Sequence, residues 1–169
     1  IVTNSGNVDA VVDIDFGADD AGDESLTVMG VITGKTSVSI ANTGSGTTTF
    51  DNSGTIQSTE GFVLYEGAKG TDSVVNTGTI SAQTSLRMYL DAGDDSLTVT
   101  GTAEADAVLR SVTDEVRFDL GVNDGAAETV ALTHTLISAG TQVVIWDRDA
   151  GTTDIDMRNS TISAGDRVN

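Results

Sequence analysis

Two short acidic segments carry the residue types that bind Ca²⁺. Residues 20–28 read Asp-Ala-Gly-Asp-Glu-Ser-Leu-Thr-Val, and residues 91–99 read Asp-Ala-Gly-Asp-Asp-Ser-Leu-Thr-Val. Ca²⁺ prefers carboxylate oxygens grouped around a bend, which a glycine permits. The alternative is that both segments are solvated turns whose charge keeps the protein soluble. The candidate metal ligands are Asp20, Asp23, Glu24, Asp91, Asp94 and Asp95.

Two pairs of aspartates have the spacing of acid–base catalysts. Asp13 and Asp15, and likewise Asp154 and Asp156, are two positions apart, so each pair lies on one side of a β-strand. Ile14 and Ile155 separate the members of the pairs, and burial of these isoleucines turns the carboxylates toward solvent. We therefore predict no catalytic residue and no enzymatic activity. A polysaccharide-processing enzyme remains the main alternative.

Three further residues merit a functional interpretation. His134 has no second His or any Cys to complete a zinc site, which favours a structural corner position where glycine is not needed. Tyr89 and Trp146 each follow an apolar residue at the same point of a predicted strand, so both rings are expected outside the core. An exposed aromatic pair can stack on a sugar or a partner protein, or pack laterally on the protein itself.

Composition narrows the classes of partner. The 169 residues include 26 acidic and 8 basic ones, and the formal charge of −18 repels nucleic acids and anionic membrane surfaces. The absence of Cys excludes disulfides and thiolate metal sites. No apolar run approaches the roughly 20 residues of a membrane helix, so we expect no membrane insertion. The absence of Pro and the abundance of Thr, Ser, Val and Ile are typical of β-structure.

A repeat of about 24 residues runs through the chain. Residues 52–56 (Asn-Ser-Gly-Thr-Ile) return 24 positions later at 76–80 (Asn-Thr-Gly-Thr-Ile), and residues 4–6 (Asn-Ser-Gly) precede the first copy by 48. Alignment of the copies gives four columns of equivalent residues. These columns are Val2, Leu26, Phe50, Val74 and Leu97; Asn4, Val28, Asn52, Asn76 and Val99; Gly6, Gly30, Gly54, Gly78 and Gly101; and Val8, Ile32, Ile56, Ile80 and Ala103.

A second pair of columns lies in the other half of each repeat. Its members are two positions apart and therefore point into the core together. The same columns continue at wider spacing to the end of the chain, and the extra residues fall at 104–115, where we predict a corner insertion that forms a loop or a short helical turn. The second pair consists of Ile14, Val38, Phe62, Leu86, Val116 and Val143, and of Phe16, Ile40, Leu64, Met88, Phe118 and Ile145; the first pair continues at Val130 and Leu132, then Ile155 and Met157.

This pattern predicts an all-β fold, a right-handed parallel β-helix (β-solenoid) of about seven turns. One turn cannot bury its own apolar face, so the turns must stack on each other. The right-handed crossover preference sets the expected hand. Gly at a fixed column suits a tight corner or a positive φ, and stacked Asn side chains can hydrogen-bond along a ladder. We predict a single solenoid domain over residues 1–169.

The acidic bend resembles one known repeat family. Residues 92–97 (Ala-Gly-Asp-Asp-Ser-Leu) are similar to the latter part of the calcium-binding nonapeptide of RTX proteins, which implies Ca²⁺ as a cofactor. That family has about 18 residues per turn, whereas this chain steps by about 24 and has no glycine pair at Leu90 and Asp91. A Ca²⁺ ion in every turn is therefore not expected.

A broader resemblance covers most of residues 1–103 and, more loosely, 116–162. The strings at 52–56, 76–80 and 93–99 are similar to repeats in passenger domains of bacterial autotransporters and related large adhesins. This resemblance implies a secreted or cell-surface protein of a Gram-negative bacterium. It concerns architecture, because adhesins, filaments and scaffolds share such repeats.

Together these features favour an extracellular structural or adhesive segment, or a filament-forming subunit. We expect an internal piece of a longer rod, or a subunit that associates end to end, because no segment that could cap the terminal turns is evident. A glycan or a host-cell surface is the expected external partner. A Ca²⁺-stabilised secreted module is a third interpretation.

Overall fold

A computed structural model describes residues 2–4, 7–17, 21–67, 69–121, 125–148 and 150–169, with side-chain positions from residue 12 onward. All regular structure in these ranges is β-strand. The strands are β1 (Val2–Asn4), β2 (Asn7–Gly17), β3 (Glu24–Val28), β4 (Val31–Asn42), β5 (Thr48–Asn52), β6 (Thr55–Ser58), β7 (Phe62–Glu66), β8 (Asp72–Asn76), β9 (Thr79–Ala82), β10 (Leu86–Tyr89), β11 (Ser96–Thr100), β12 (Ala107–Ser111), β13 (Val116–Asp119), β14 (Ala127–Thr133), β15 (Thr135–Ala139), β16 (Gln142–Trp146), β17 (Thr152–Arg158), β18 (Thr161–Ala164) and β19 (Arg167–Val168).

The strands form a parallel β-solenoid of about six turns, close to the predicted number. A seven-stranded parallel sheet runs in the order β1-β3-β5-β8-β11-β14-β17. The second sheet has two faces, because the long strand β4 pairs with β6 through its first half and with β7 through its second half. Each complete turn thus contributes one strand segment to each of three faces.

The first sheet confirms the predicted register. Leu26 pairs with Phe50, Phe50 with Val74 and Val74 with Leu97, and the ladder continues to Val130 and Ile155. Alternation along each strand directs these side chains inward, and stacking between turns removes those from Leu26 to Val130 from water. The predicted Asn ladder is also present: buried Asn52 donates from Nδ2 to Oδ1 of Asn76 at 2.7 Å.

Side chains from all three faces meet in one core. The ring of Phe50 in the first sheet stacks on the ring of Tyr65 in the second, with centroids 5.1 Å apart and planes inclined by 13°. Leu86, Met88 and Phe118 are also fully buried. Contacts between turns make the core continuous along the solenoid axis.

The predicted second pair of columns is wrong in two turns. Val63 and Tyr65, not Phe62 and Leu64, pair with Val38 and Ile40 and with Leu86 and Met88. Phe62 is 41% exposed, whereas Val63 is 3% exposed. The corner at residues 59–61 has one residue more than the corner at 35–36, and this shifts the strand by one position and reverses the direction of each side chain. In the first turn Val12 and Ile14, not Ile14 and Phe16, pair with Val38 and Ile40, because β2 contains a register shift.

The predicted corner insertion at residues 104–115 is also corrected. The inserted loop occupies residues 102–106, and strand β12 follows at Ala107. Leu109 pairs with Ile80 and is buried, so it replaces Ala103 as the next member of that column. The insertion could not be located from the repeat, because Ala103 is apolar and lies 23 residues after Ile80, one short of the usual step.

Of the two predicted reasons for glycine at this corner, a tight approach and a positive φ, the tight approach applies at Gly54 and Gly78. A Cβ at Gly54 would lie 2.0 Å from the carbonyl oxygen of Gly30, and one at Gly78 would lie 2.1 Å from that of Gly54. Successive turns approach too closely there for any side chain. Later members of the column do turn left-handed, since His134 has a φ of 48° and Asn159 a φ of 50°. His134 thus lies at a corner, as predicted, and its backbone has a left-handed conformation that glycine adopts most easily.

Candidate ligand-binding face

One side of the solenoid differs from the rest in chemistry. We define the lateral face as the outward side of strands β7, β10, β13 and β16, which pair in that order. Two outward columns cover it. They are Leu64, Arg87, Arg117 and Val144, and Glu66, Tyr89, Asp119 and Trp146.

The aromatic residues outside the core lie on the lateral face. Of the seven aromatic residues in the chain, Phe50, Tyr65 and Phe118 are buried and Phe16 packs partly against the core. The remaining three are Phe62, Tyr89 and Trp146. Tyr89 and Trp146 occupy one column on different turns, as their alternation with Met88 and Ile145 predicted. Phe62 and Trp146 are exposed, whereas Tyr89 is partly buried.

Asp119 organises the centre of the lateral face. Its carboxylate accepts hydrogen bonds from Nη2 of Arg117 at 3.0 Å and from Nη2 of Arg148 at 3.2 Å. It is 3% exposed, so both ion pairs are only partly screened by water. Both guanidinium groups also lie against the ring of Trp146, at 4.4 Å for Arg117 and 5.7 Å for Arg148. These cation–π contacts fix the orientation of the indole.

A groove of about 430 Å³ lies at the corner next to this cluster and shares Asp119 and Arg148 with it. Its walls come from the ends of five adjacent strands: β4, β7, β10 and β13, and the residues after β16. Strand spacing makes such a groove about 19 Å long along the solenoid axis. The charged and aromatic groups that line it are Glu66, Lys69, Tyr89, Asp91, Asp119 and Arg148.

Several polar side chains of the groove keep open hydrogen-bonding capacity. In the described part of the chain the carboxylates of Glu66 and Asp91, the ammonium of Lys69 and the hydroxyl of Tyr89 have no hydrogen-bond or ion-pair partner. By contrast, Asn42 at one wall is used structurally, because its Oδ1 accepts from the amide of Gly44 at 2.8 Å. The groove thus presents two unengaged acceptors and two unengaged donors beside an aromatic ring.

Of the side chains predicted to bind Ca²⁺, those that the structure describes point in different directions and do not meet at one site. Asp91 has a φ of 60° and lies in the groove, Asp94 faces outward, and Asp95 points into the core. The equivalent residues Asp23 and Asp94 of the two acidic segments each bind the backbone of the following turn. Asp23 Oδ1 accepts a hydrogen bond from the amide of Thr47, and Asp94 Oδ1 accepts one from the amide of Ala127. Within the described ranges no three His, Cys, Asp or Glu side chains are grouped so that they could hold a metal ion.

Glu24 and Asp20 complete the set of predicted ligands. Glu24 accepts from Nδ2 of Asn42 at 3.4 Å, so its carboxylate is turned toward the corner of its own turn. Asp20 lies outside the described residues. The repeated acidic segments therefore have a structural use that requires no ion, namely the capping of backbone amides at the corner.

Asp95 belongs to a column of buried acids that sequence reasoning missed. Asp72, Asp95 and Glu128 each precede aligned residues of the first sheet and are at most 1% exposed. The amide of Asp72 donates to Oδ1 of Asp95 at 2.8 Å. Burial raises the pKa of the nearby Tyr65 hydroxyl well above its ordinary value, and the negative charges of Asp72 and Asp95 raise it further. The hydroxyl consequently stays protonated in the folded protein.

The other candidate residues lie away from the groove. Asp13 and Asp15 are exposed on β2, and Asp156 on β17 pairs with Arg158. Nε2 of His134 lies 3.5 Å from Nδ2 of Asn159, at a corner of the solenoid.

Of the groove residues, only Tyr89 and Asp91 were predicted as site residues, and for two different roles, a contact surface and a metal site. One signal was available: Asp119 follows the inward residue Val116 at the same offset as Tyr89 follows Leu86. Lys69 and Arg148 follow their strands in corner segments whose course no repeat fixed. Their approach to the groove depends on the three-dimensional path of those corners.

Comparison of the chain with protein-family models, with curated proteins and with solved structures gives no match. No helix long and apolar enough to cross a membrane occurs in the described part of the chain.

Proposed function

We propose that this chain is an extracellular structural and adhesive β-solenoid segment that contacts a partner surface through its lateral face. The observation that carries the proposal is the concentration there of the aromatic side chains that lie outside the core. Trp146 is 44% exposed although two arginines hold it in place. An ordered ring that remains accessible to solvent loses little entropy when it meets a ligand.

The distribution of basic residues also supports the lateral face as the surface that contacts a partner. The chain has 26 acidic and 8 basic residues, yet Arg87, Arg117, Lys69 and Arg148 all lie on the lateral face or at its corner. Half of the basic residues therefore lie beside the aromatic rings that are outside the core. Arg, Trp and Tyr are the residue types that most often carry binding energy at protein interfaces.

The structural part of the proposal depends on the ladders. Nearly every inward residue gains its burial from the turns before and after it, so the fold is an extendable scaffold. Ile155 and Met157 are exposed on the last turn, whereas Val130 and Leu132, their partners one turn earlier, are buried. A further turn placed on β17, from the same protein or a second copy, would bury them. The resemblance to autotransporter passengers supports a location at or outside the cell surface.

Bead adhesion tests the adhesive role. Beads coated with the chain are passed over an array of neutral glycans, acidic glycans and extracellular-matrix proteins, and bead retention is measured. We expect retention on at least one surface and its loss in the double variant Tyr89→Ala/Trp146→Ala. Met29→Ala removes an exposed apolar side chain outside the lateral face and should leave retention unchanged. Absence of retention on every surface, or equal retention by all variants, would contradict the proposal.

The same array distinguishes the enzymatic alternative. A glycosidase or lyase shortens the glycans that it contacts. We expect the printed glycans to keep their length after prolonged incubation with the chain. Shortening that depends on Asp154 or Asp156 would establish the enzyme instead.

A further inference from the structure

We infer that the corner groove binds a neutral oligosaccharide chain lying along the solenoid axis. The inference rests on the proposed adhesive function and adds the ligand class and the place where it binds. The groove crosses the ends of five adjacent strands, so it accommodates an elongated molecule. Its volume of about 430 Å³ falls in the range of small-ligand sites.

Unengaged polar groups indicate a ligand rich in hydroxyls. A sugar hydroxyl both donates and accepts hydrogen bonds, and the groove offers the carboxylates of Glu66 and Asp91 as acceptors and Lys69 as a donor. Arg148 contributes a second donor, because its side chain stays 46% exposed while it pairs with Asp119. The ring of Tyr89 lies among these groups, as the apolar C–H side of a pyranose requires.

Charge disfavours an anionic ligand. Three carboxylates and two cationic groups line the groove, and the chain as a whole carries a formal charge of −18. A polyanion would be repelled during approach, and the groove offers no excess of positive charge to hold it. A neutral oligosaccharide is not repelled during approach and needs no excess of positive charge to stay bound.

The backbone disfavours an extended peptide. Peptides that add to a sheet need a strand edge with free N–H and C=O groups. Here β7, β10 and β13 pair with a strand on both sides, so their backbone groups already belong to ladders. Recognition along the groove therefore occurs through side chains, as suits a polyhydroxylated ligand.

Titration calorimetry with the whole chain tests the inference. The probes are linear oligomers of glucose, mannose and N-acetylglucosamine, each of one to six units, with chondroitin sulfate hexasaccharide as an acidic comparison. We expect at least one neutral series to bind, with affinity that rises with length. Tyr89→Ala and Glu66→Gln should each weaken binding at least tenfold. Glu60→Gln, which changes an exposed carboxylate at another corner, should not.

The variants also separate folding from binding. Tyr89→Phe keeps the ring and should retain most of the affinity, and each variant should keep the parent's circular dichroism. Failure of every neutral oligomer to bind, tighter binding of the sulfated probe, or indifference to Tyr89→Ala and Glu66→Gln would overturn the inference. If bead retention remained sensitive to Tyr89→Ala/Trp146→Ala in such a case, the adhesive function would stand and only the ligand class would fall.

Discussion

Tyr89 and Trp146 occupy the same outward position on strands β10 and β16, and Asp119 of β13 lies between them. The spacing follows from parallel pairing, because each turn returns the same register position to the same face. Asp119 then holds Arg117 and Arg148, which both contact the Trp146 ring. The parallel register between turns thus determines which side chains meet on the lateral face.

The register of β7 and β10 predicts that substitutions at Leu86 and Phe62 differ strongly in their effect on stability. Leu86→Asp should lower the free energy of unfolding by about 3–5 kcal/mol, because it buries a charge in the middle of a ladder. Phe62→Asp should change it by no more than about 1 kcal/mol, since this side chain points away from the core and is 41% exposed. Urea unfolding monitored by circular dichroism measures both. Equal destabilisation by the two variants would restore Phe62 to the core column.

The first sheet could be predicted from the sequence because its step is nearly constant as far as Leu97, and the same apolar alternation returns after the insertion at Val130 and Ile155. The prediction for the face that contains β7 was wrong at Phe62. Val63 follows Val38 by 25 residues and Leu86 follows Val63 by 23, so the extra corner residue leaves the average step at 24. Only the inward packing of Val63 and Tyr65 distinguishes the two registers, because the alternating residues Phe62 and Leu64 are at least as apolar. Alternation sufficed to place Tyr89 and Trp146 outside. The approach of Lys69 and Arg148 to the groove required the course of two corners, which no periodic signal describes.

Tyr65 should make the fold sensitive to alkali. Its pKa is raised in the folded state, so its contribution to stability is complete below pH about 10 and is lost as pH rises toward the folded pKa. The free energy of unfolding should fall by up to about 1.4 kcal/mol per pH unit in that window. Tyr65→Phe should flatten the decline. Identical slopes for parent and variant between pH 9 and 12 would contradict this origin.

Calcium is expected to be at most a modest stabiliser. Asp23 and Asp94 already accept backbone hydrogen bonds, and Asp95 is directed into the core. An excess of chelator should therefore leave both the β-signal and the Tm of the parent unchanged. Asp91→Asn, which alters only a groove carboxylate, serves as the matched variant and should also melt as before. Unfolding in chelator, reversed by Ca²⁺ but not by Mg²⁺, would instead identify Asp91, Asp94 and Asp95 as ligands.

Axial association should increase with salt. The exposed apolar residues of β17 favour stacking on another turn, whereas the charge of −18 opposes it. Screening reduces the reach of this repulsion to about 8 Å at physiological ionic strength. Sedimentation velocity should show larger species as salt is raised, and Ile155→Glu/Met157→Glu should remain monomeric. A parent that stays monomeric at high protein and salt concentrations would exclude end-to-end association of this chain.

The most direct measurement is a map of amide chemical-shift changes in the isotopically labelled chain, titrated with the neutral hexasaccharide that binds best. Binding along the corner groove predicts changes centred on residues 41–44, 66, 67, 69, 89, 91, 119 and 148, with the first sheet unaffected. Changes centred on β5, β8 or β11, or a spectrum that stays unchanged at saturating ligand, would contradict a binding role for the lateral face and its groove.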